Sequence, residues 1–345
     1  MRGIKVVKIS LENSGCYLGR EKGCLVVRNR KEGKEERYPL SESEVREVQI
    51  RSGNSVSAGA LVSMAYWGIP LIVATARGNP VGVLVSFDNS SHVLTRIHQY
   101  ESLKSPKALE IAKKFVITKL MGENEILKKY GLRRHGYSDI ETIRKLDCEN
   151  LEKLRSKLLS VEGHCTYNYF QQIFELLPEH LRPTRRRTFK AYDKGNNLFN
   201  VAYTVLSWKI HIALVKARLE PYLGYLHWIT FANPALICDF QELYRYLLDD
   251  FVIQYAKKLE AKDFILKDED FGYRRKGKRE YLNDVKSRAF LKELDRYFES
   301  MVEVPRIRKG NRQMLETLIN EEALQFGRYL RNEIREWNPR IVNLT

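Results

Sequence analysis

Apolar and polar residues alternate with a period of two from Lys5 to about Asp88. The runs K-V-V-K-I-S-L, C-L-V-V-R-N-R, V-Q-I-R-S and P-V-G-V-L-V-S-F are short and rich in β-branched residues. Asn13-Ser14-Gly15, Gly23 and Gly78-Asn79-Pro80 punctuate them, as turns between strands do. One helical segment, Ser57 to Trp67, interrupts the strands, and Gly68 with Pro70 stops it before the strand L-I-V-A-T. From Val93 the period becomes 3.6 almost to the end. R-I-H-Q-Y-E-S-L leads into helices over Ala108 to Met121 and Glu123 to Tyr130, then a long one from Glu141 to about Leu177, closed by Pro178. Arg133 to Gly136 reads as a basic turn and Pro183 to Asn197 as a polar, Arg-rich loop. Leu198 to Leu219 is apolar nearly all round, which predicts a buried central helix broken by Pro221 and Gly224. A short helix around Asp239 follows, then a charged connector from Lys262 to Arg279, then helices at about Leu282 to Ser300 and Arg312 to Trp337. The expected fold class is α+β, with a small β-rich N-terminal domain over residues 1–92 and a larger all-α C-terminal domain over residues 93–345. The strand edges of the first domain offer a surface on which a second copy can pair.

Composition narrows the partners. With 345 residues, 43% hydrophobic and 30% charged, the chain is long enough for roughly two folded domains. No apolar run approaches the ~20 residues of a membrane span, and the alternating start M-R-G-I-K-V-V-K-I-S-L contains no signal-peptide core. A cytoplasmic chain without membrane contact is expected. Lys plus Arg outnumber Asp plus Glu by 59 to 43, for a net charge of +16. That excess favours a polyanion, and nucleic acid over membrane because no basic amphipathic anchor is present. Cys16, Cys24, Cys148, Cys165 and Cys238 form no C-x-x-C and are odd in number, which points to reduced thiols and neither a disulfide frame nor a zinc site.

The candidate chemistry lies in Leu223 to Arg245. His227 precedes a Pro-bounded loop, and Asp239 and Glu242 stand three apart on the next helix, so both carboxylates share a face. Leu236, Ile237, Phe240 and Leu243 surround them with apolar groups, where an unpaired carboxylate is costly and a cation accounts for it. The plainer reading is a helix-start acid, a surface Glu and a hydrogen-bonded core histidine. Glu162 is a further anomaly, because it falls within the apolar stripe Leu151, Leu154, Leu158, Cys165, Tyr169, Ile173 and Leu176. Gly163 beside it weakens the helix by about 1 kcal/mol relative to Ala, which is explained if something approaches the backbone closely. The plainer alternative for Glu162 is a pairing with Arg or Lys. Together Glu162, His227, Asp239 and Glu242 offer oxygens and one imidazole, a donor set that suits Mg²⁺ or Mn²⁺. Beside a basic surface such an ion serves phosphodiester chemistry.

Four motifs in order carry a resemblance. E-G-x-x-x-x-x-Y-F (Glu162 to Phe170), N-x-L-x-N-x-x-Y-x-x-L (Asn196 to Leu206), L-x-P-Y-L-G-Y-L-H (Leu219 to His227) and D-x-x-E-L-Y-R (Asp239 to Arg245) resemble the CRISPR-associated adaptation integrase ("Cas one"). That family is the metal-dependent DNA endonuclease that inserts spacers into CRISPR arrays. G-I-P-L-I-V at Gly68, the spaced Arg96, Gln99 and Tyr100, and K-D-E-D-F-G at Lys267 extend the likeness over nearly the whole chain. The loop R-P-T-R-R-R-T-F-K-A-Y-D-K-G departs from it, since a proline-rich stretch is common there.

The resemblance implies a homodimerising N-terminal domain and a catalytic C-terminal domain. It implies Glu162, His227 and Glu242 as ligands of Mn²⁺ or Mg²⁺, with Asp239 in a supporting or second-ion role. It further implies double-stranded DNA (spacer precursor and CRISPR repeat) and a second small adaptation protein ("Cas two") as partners. In the implied reaction a 3′-hydroxyl attacks a repeat-boundary phosphodiester. Arg182, Arg185, Arg186, Arg187 and Lys190 lie between metal-bearing segments and are expected on phosphates, as are Arg245 and the group Arg274, Arg275 and Lys276. Tyr167, Tyr169 and Tyr203 are read as core residues, with base stacking as the alternative. Two other functions fit the same residues: a non-catalytic basic DNA-binding scaffold, and an integrase of a mobile element outside CRISPR.

Overall fold

The computed structural model of the chain describes residues 5–29, 31–40, 43–75, 80–86, 93–135, 137–188, 191–230, 233–270, 276–303 and 312–344. Two units divide it, Met1–His92 and Val93–Thr345, each around its own apolar core.

The first unit contains β1 (Lys5–Leu11), β2 (Cys16–Glu21), β3 (Cys24–Asn29), β4 (Lys34–Pro39), β5 (Ser43–Arg51), β6 (Ser55–Val56), α1 (Ala58–Tyr66), β7 (Leu71–Ala74) and β8 (Pro80–Leu84). One sheet runs β1-β5-β7-β8, parallel at its first two pairings and antiparallel at the last; the other runs β4-β3-β2-β6. Alternation turns Ile9, Leu11, Leu18, Leu25 and Val48 inward, where they share a core with Ala60 and Met64 of α1. Ser57 starts α1 by accepting a hydrogen bond from Ala60 N. Sequence pattern overlooked β4, K-E-E-R-Y-P, because this strand is largely exposed and carries no apolar alternation.

The second unit contains α2 (Val93–Ser102), α3 (Pro106–Lys129), α4 (Tyr137–Lys145), α5 (Leu151–Phe174), α6 (Lys194–Lys216), α7 (Ala235–Glu242), α8 (Arg245–Ala256), β9 (Phe264–Asp270), β10 (Lys276–Leu282), α9 (Asp284–Glu299), β11 (Met301–Glu303), β12 (Arg312–Met314) and α10 (Leu315–Leu330). As its all-round apolarity predicts, α6 is central. Leu198, Phe199, Ala202, Leu206, Ile210 and Leu214 are buried, and α6 packs on α7, α8 and α10 while α3 packs on α5 and α8.

Several boundaries differ from the expected ones for identifiable reasons. The expected break between Met121 and Glu123 is absent. Gly122 stays helical, and its missing Cβ makes room for the Tyr246 ring, which an added Cβ would meet at 2.5 Å. Conversely, the long helix expected from Glu141 is two, because Asn150 caps α5 by accepting from Lys153 N. The start of α6 lies earlier than Leu198, where Asp193 accepts from Asn196 N at 2.7 Å. The charged connector is an antiparallel pair, β9 with β10. Contrary to the expectation that no run reaches membrane-spanning length, α6 is long and apolar enough by composition. It lies instead among other helices, with Lys209 paired to Glu316 at 2.9 Å.

Candidate metal centre

The loop between α6 and α7 is held from three sides. Gln99 of α2 donates to the carbonyls of Glu220 and Leu223, both at 3.1 Å. Arg155 of α5 donates to Tyr225 O and Gly224 O, both at 2.7 Å. Asp239, fully buried on α7, accepts backbone N–H groups from Tyr225 (2.5 Å), Leu226 (3.1 Å) and His227 (2.8 Å). Gly224 is required because a Cβ there would stand 2.7 Å from the Ala235 backbone. Asp239 also meets His227 Nδ1 at 2.8 Å. A carboxylate accepts, so Nδ1 carries the proton, and in the neutral ring Nε2 is the nitrogen with the lone pair. That Nε2 lies 3.9 Å from Glu242 Oε1. Burial opposes a charged His227, but the hydrogen bond to Asp239 and the charges of Asp239 and Glu242 outweigh it and raise its pKa.

Two protein cations hold the acids together. Lys119 of α3, 5% exposed, has its Nζ against Glu162 Oε1 and 2.8 Å from Glu242 Oε2. Arg245 Nη1 lies 2.6 Å from Glu242 Oε1. Although burial works against both ions, Glu242, Glu162 and Glu123 lift the Lys119 pKa above its ordinary value. In turn Arg245, Lys119 and His227 hold the Glu242 carboxyl below the usual range. Thr166 of α5 donates to both Glu162 and Glu123 at 3.2 Å, and Glu123 faces buried His135 at 2.9 Å. A cavity of about 190 Å³ opens here, lined by Lys119, Glu162, Thr166, Arg186, Thr188, Glu242 and Arg245 among others. On its wall Asp249 of α8 accepts from Tyr169 (2.8 Å) and from Tyr203. Burial pushes its carboxyl up to about 7 against those two hydrogen bonds.

The donor set fits a divalent cation. Both carboxylates already share one ammonium, and His227 Nε2 lies 3.9 Å from Glu242 Oε1, so two acids and an imidazole surround a position now held by protein cations. Among the described residues, however, no three His, Cys, Asp or Glu side chains form a ready set for an ion as they stand. Lys119 or Arg245 must yield for the three to converge.

The family model described as CRISPR associated protein Cas1 matches residues 9–295. The chain belongs to the Cas1 family. The CRISPR-associated endonuclease Cas1 3 of Thermus thermophilus is 30% identical over 254 residues, 73% of this chain and 74% of that protein. A casposase bound to integration product has the same fold at a TM-score of 0.74 and 18% identity, over 97% of this chain and 93% of its own. A Cas6-RT-Cas1–Cas2 complex matches at a TM-score of 0.70 and 21% identity, over 99% of this chain and 36% of that one.

The residues expected at the site are placed as follows. His227 hydrogen-bonds Asp239 and lies 3.9 Å from Glu242, and Glu162 joins Glu242 through Lys119, which is the pairing foreseen as its plainer alternative. Gly163 explains nothing about the site, because it is exposed and an added Cβ would meet no atom within 4 Å. Of the basic residues, Arg186 lines the cavity. It donates to Asn196 (3.0 Å) and Asn200 (2.7 Å), and its guanidinium lies 5.1 Å from the centre of the Tyr203 ring. Arg245 lies equally close to that ring. Arg182 is tied to the end of α5 through Glu175 and Leu177 O, while Arg185 is exposed and Arg187 half-buried. Lys190, Arg274, Arg275 and the side chain of Lys276 lie outside the described residues. Tyr169 and Tyr203 are core residues, but Tyr167 is exposed. Sequence pattern missed Lys119, Glu123 and Asp249. For the first two the signal was present: both fall on the buried stripe of Ala112, Phe115 and Val116.

Proposed function

We propose that Glu162, His227 and Glu242 hold one divalent cation, Mn²⁺ or Mg²⁺, and that DNA is cut and joined beside it. The chain is a CRISPR-associated DNA endonuclease and integrase of spacer acquisition. The observation that carries the metal reading is the chain of contacts from His227 through Glu242 and Lys119 to Glu162. Bound there, the cation supplies polarisation of the phosphodiester and a lowered pKa for the attacking hydroxyl. Asp239 fixes the imidazole so that Nε2, not Nδ1, faces the site. Arg245 and Arg186 offset charge that builds on the phosphoryl oxygens, and the exposed Arg185 contacts backbone phosphates without reading sequence. The 3′-oxygen of the incoming strand bonds to phosphorus at the repeat boundary as the 3′-oxygen of the repeat strand leaves.

Duplex DNA, a second copy and a Cas2-type subunit are the partners of this reading, and the cytoplasm is its compartment. Support for a second copy comes from α1, whose Val62 and Tyr66 are 65% and 84% exposed; support for the Cas2 subunit comes from the Cas1–Cas2 complex named above.

The test is Mn²⁺-dependent cleavage and joining of DNA by Glu162→Ala, His227→Ala and Glu242→Gln, with Asp239→Asn beside them. Each ligand variant is expected to lose at least about 100-fold, and Asp239→Asn roughly 10- to 100-fold, as loss of a group that orients a ligand does. Wild-type rates in His227→Ala or Glu242→Gln remove the site.

A further inference from the structure

We propose that Trp228 is a stacking platform for an unpaired DNA base close to the reacting phosphate. The proposal rests on the reading of Glu162 and His227 as the place of reaction. Trp228 directly follows His227, and 40% of it is open to solvent. Large aromatic side chains are ordinarily well covered, as Trp337 of the same unit is at 1%. Trp228 is exposed without being loose. Buried Arg155 of α5 sets its guanidinium 5.3 Å from the centre of the indole, while its Nε and Nη2 are committed to Tyr225 O and Gly224 O. Asn233 Nδ2 donates to Trp228 O at 2.6 Å and fixes the backbone. One face of the ring is backed by a held cation. A ring ordered in this way before any ligand arrives stacks at little entropic cost.

Its place on the molecule selects the ligand. Arg155 and Glu162 are seven residues apart on α5, so they share a face, about two turns or 10 Å from each other. The indole over Arg155 is therefore about two helical turns from Glu162, and it is the next side chain after His227. A DNA strand advances about 3.4 Å per nucleotide, so roughly three nucleotides cover that interval. A base inside a duplex has both faces covered by its neighbours, which leaves an unpaired base as the partner of the indole. Stacking on an aromatic ring tolerates any base, because every base has a π-face. Trp228 thus positions a strand without reading its sequence. Ile229, 49% exposed, adds apolar surface beside it in the chain.

The test uses the full-length chain in EDTA and duplexes ending in a single-stranded 3′ extension of about four nucleotides, enough to cross that interval. With 2-aminopurine at each extension position in turn, binding is expected to quench one position by about half or more. Trp228→Ala is expected to abolish that quenching and to raise the dissociation constant about tenfold. Trp228→Phe, which keeps a ring, is expected to retain most of the quenching and of the affinity. An abasic nucleotide at the quenched position should weaken the wild type by the same factor, and Trp228→Ala no further. The abasic measurement on the wild type needs no variant to fold, and an unchanged affinity there overturns the proposal by itself. Binding without Trp228-dependent quenching at any position overturns it as well. Quenching as expected, in a protein whose Mn²⁺-dependent cleavage survives His227→Ala, supports the stack and overturns instead the reading of the reaction site.

Discussion

Asp249 and Asp239 are both buried acids in the same unit, yet they do different work. Asp239 accepts from three backbone N–H groups and an imidazole and so shapes the His227 loop. Among the described residues Asp249 accepts from two tyrosine hydroxyls, and burial takes its carboxyl up to about 7. An unfolded Asp releases its proton near its ordinary value of about 3.9. Between those values the folded chain holds the extra proton, so this contribution to stability is complete below about pH 4 and is lost as pH rises through 7. Urea midpoints at pH 5.5 and 8.5 should therefore fall more for the wild type than for Asp249→Asn, which cannot titrate. Equal falls would put the Asp249 pKa in the ordinary range. The site acids were legible in the sequence because each broke an apolar pattern, as Glu162 did on α5. Asp249 did not stand out, because its burial depends on Tyr169 and Tyr203 from two other helices. The role of Gly163 was misread for a related reason: a glycine in a helix says nothing by itself about which face is covered.

At the scale of elements, α3 and α5 carry the largest discrepancies and the clearest tests. Sequence pattern divided α3 at Gly122 and joined α4 to α5, because helix propensity weighs against glycine while an Asn cap is easily taken for a surface residue. The Tyr246 ring reverses the first and the local Asn150 cap the second. Gly122→Ala should destabilise by about 1–3 kcal/mol, since the new methyl enters the Tyr246 ring. Gly163→Ala on open surface should stabilise by up to about 1 kcal/mol. Both are read from urea unfolding, and matching effects at the two positions would refute the packing of α3 against α8. The β9–β10 pair escaped notice for the same reason as β4. Polar strands on an exposed sheet leave no period-two apolar signal, and only register shows them.

Across the whole molecule, the change of period at Val93 coincides with the boundary between the two units. The net charge of +16 pointed to a polyanion but could not say which arginines face it. Arg186, counted with the surface cluster, instead stacks beside Tyr203 at the cavity. Pattern puts Lys119 on a buried stripe but could not pair it with the acids, because it lies 43 residues before Glu162 and 123 before Glu242 in the sequence. DNA cutting and joining at this site requires those acids and His227 to gather around one metal ion. Crystals grown with Mn²⁺, with anomalous diffraction collected at the manganese edge, address that most directly. The result expected is a single peak bonded to Glu162, His227 Nε2 and Glu242, with Lys119 Nζ moved aside but still within the cavity. No peak at these residues, with Lys119 still bridging Glu162 and Glu242, would contradict it.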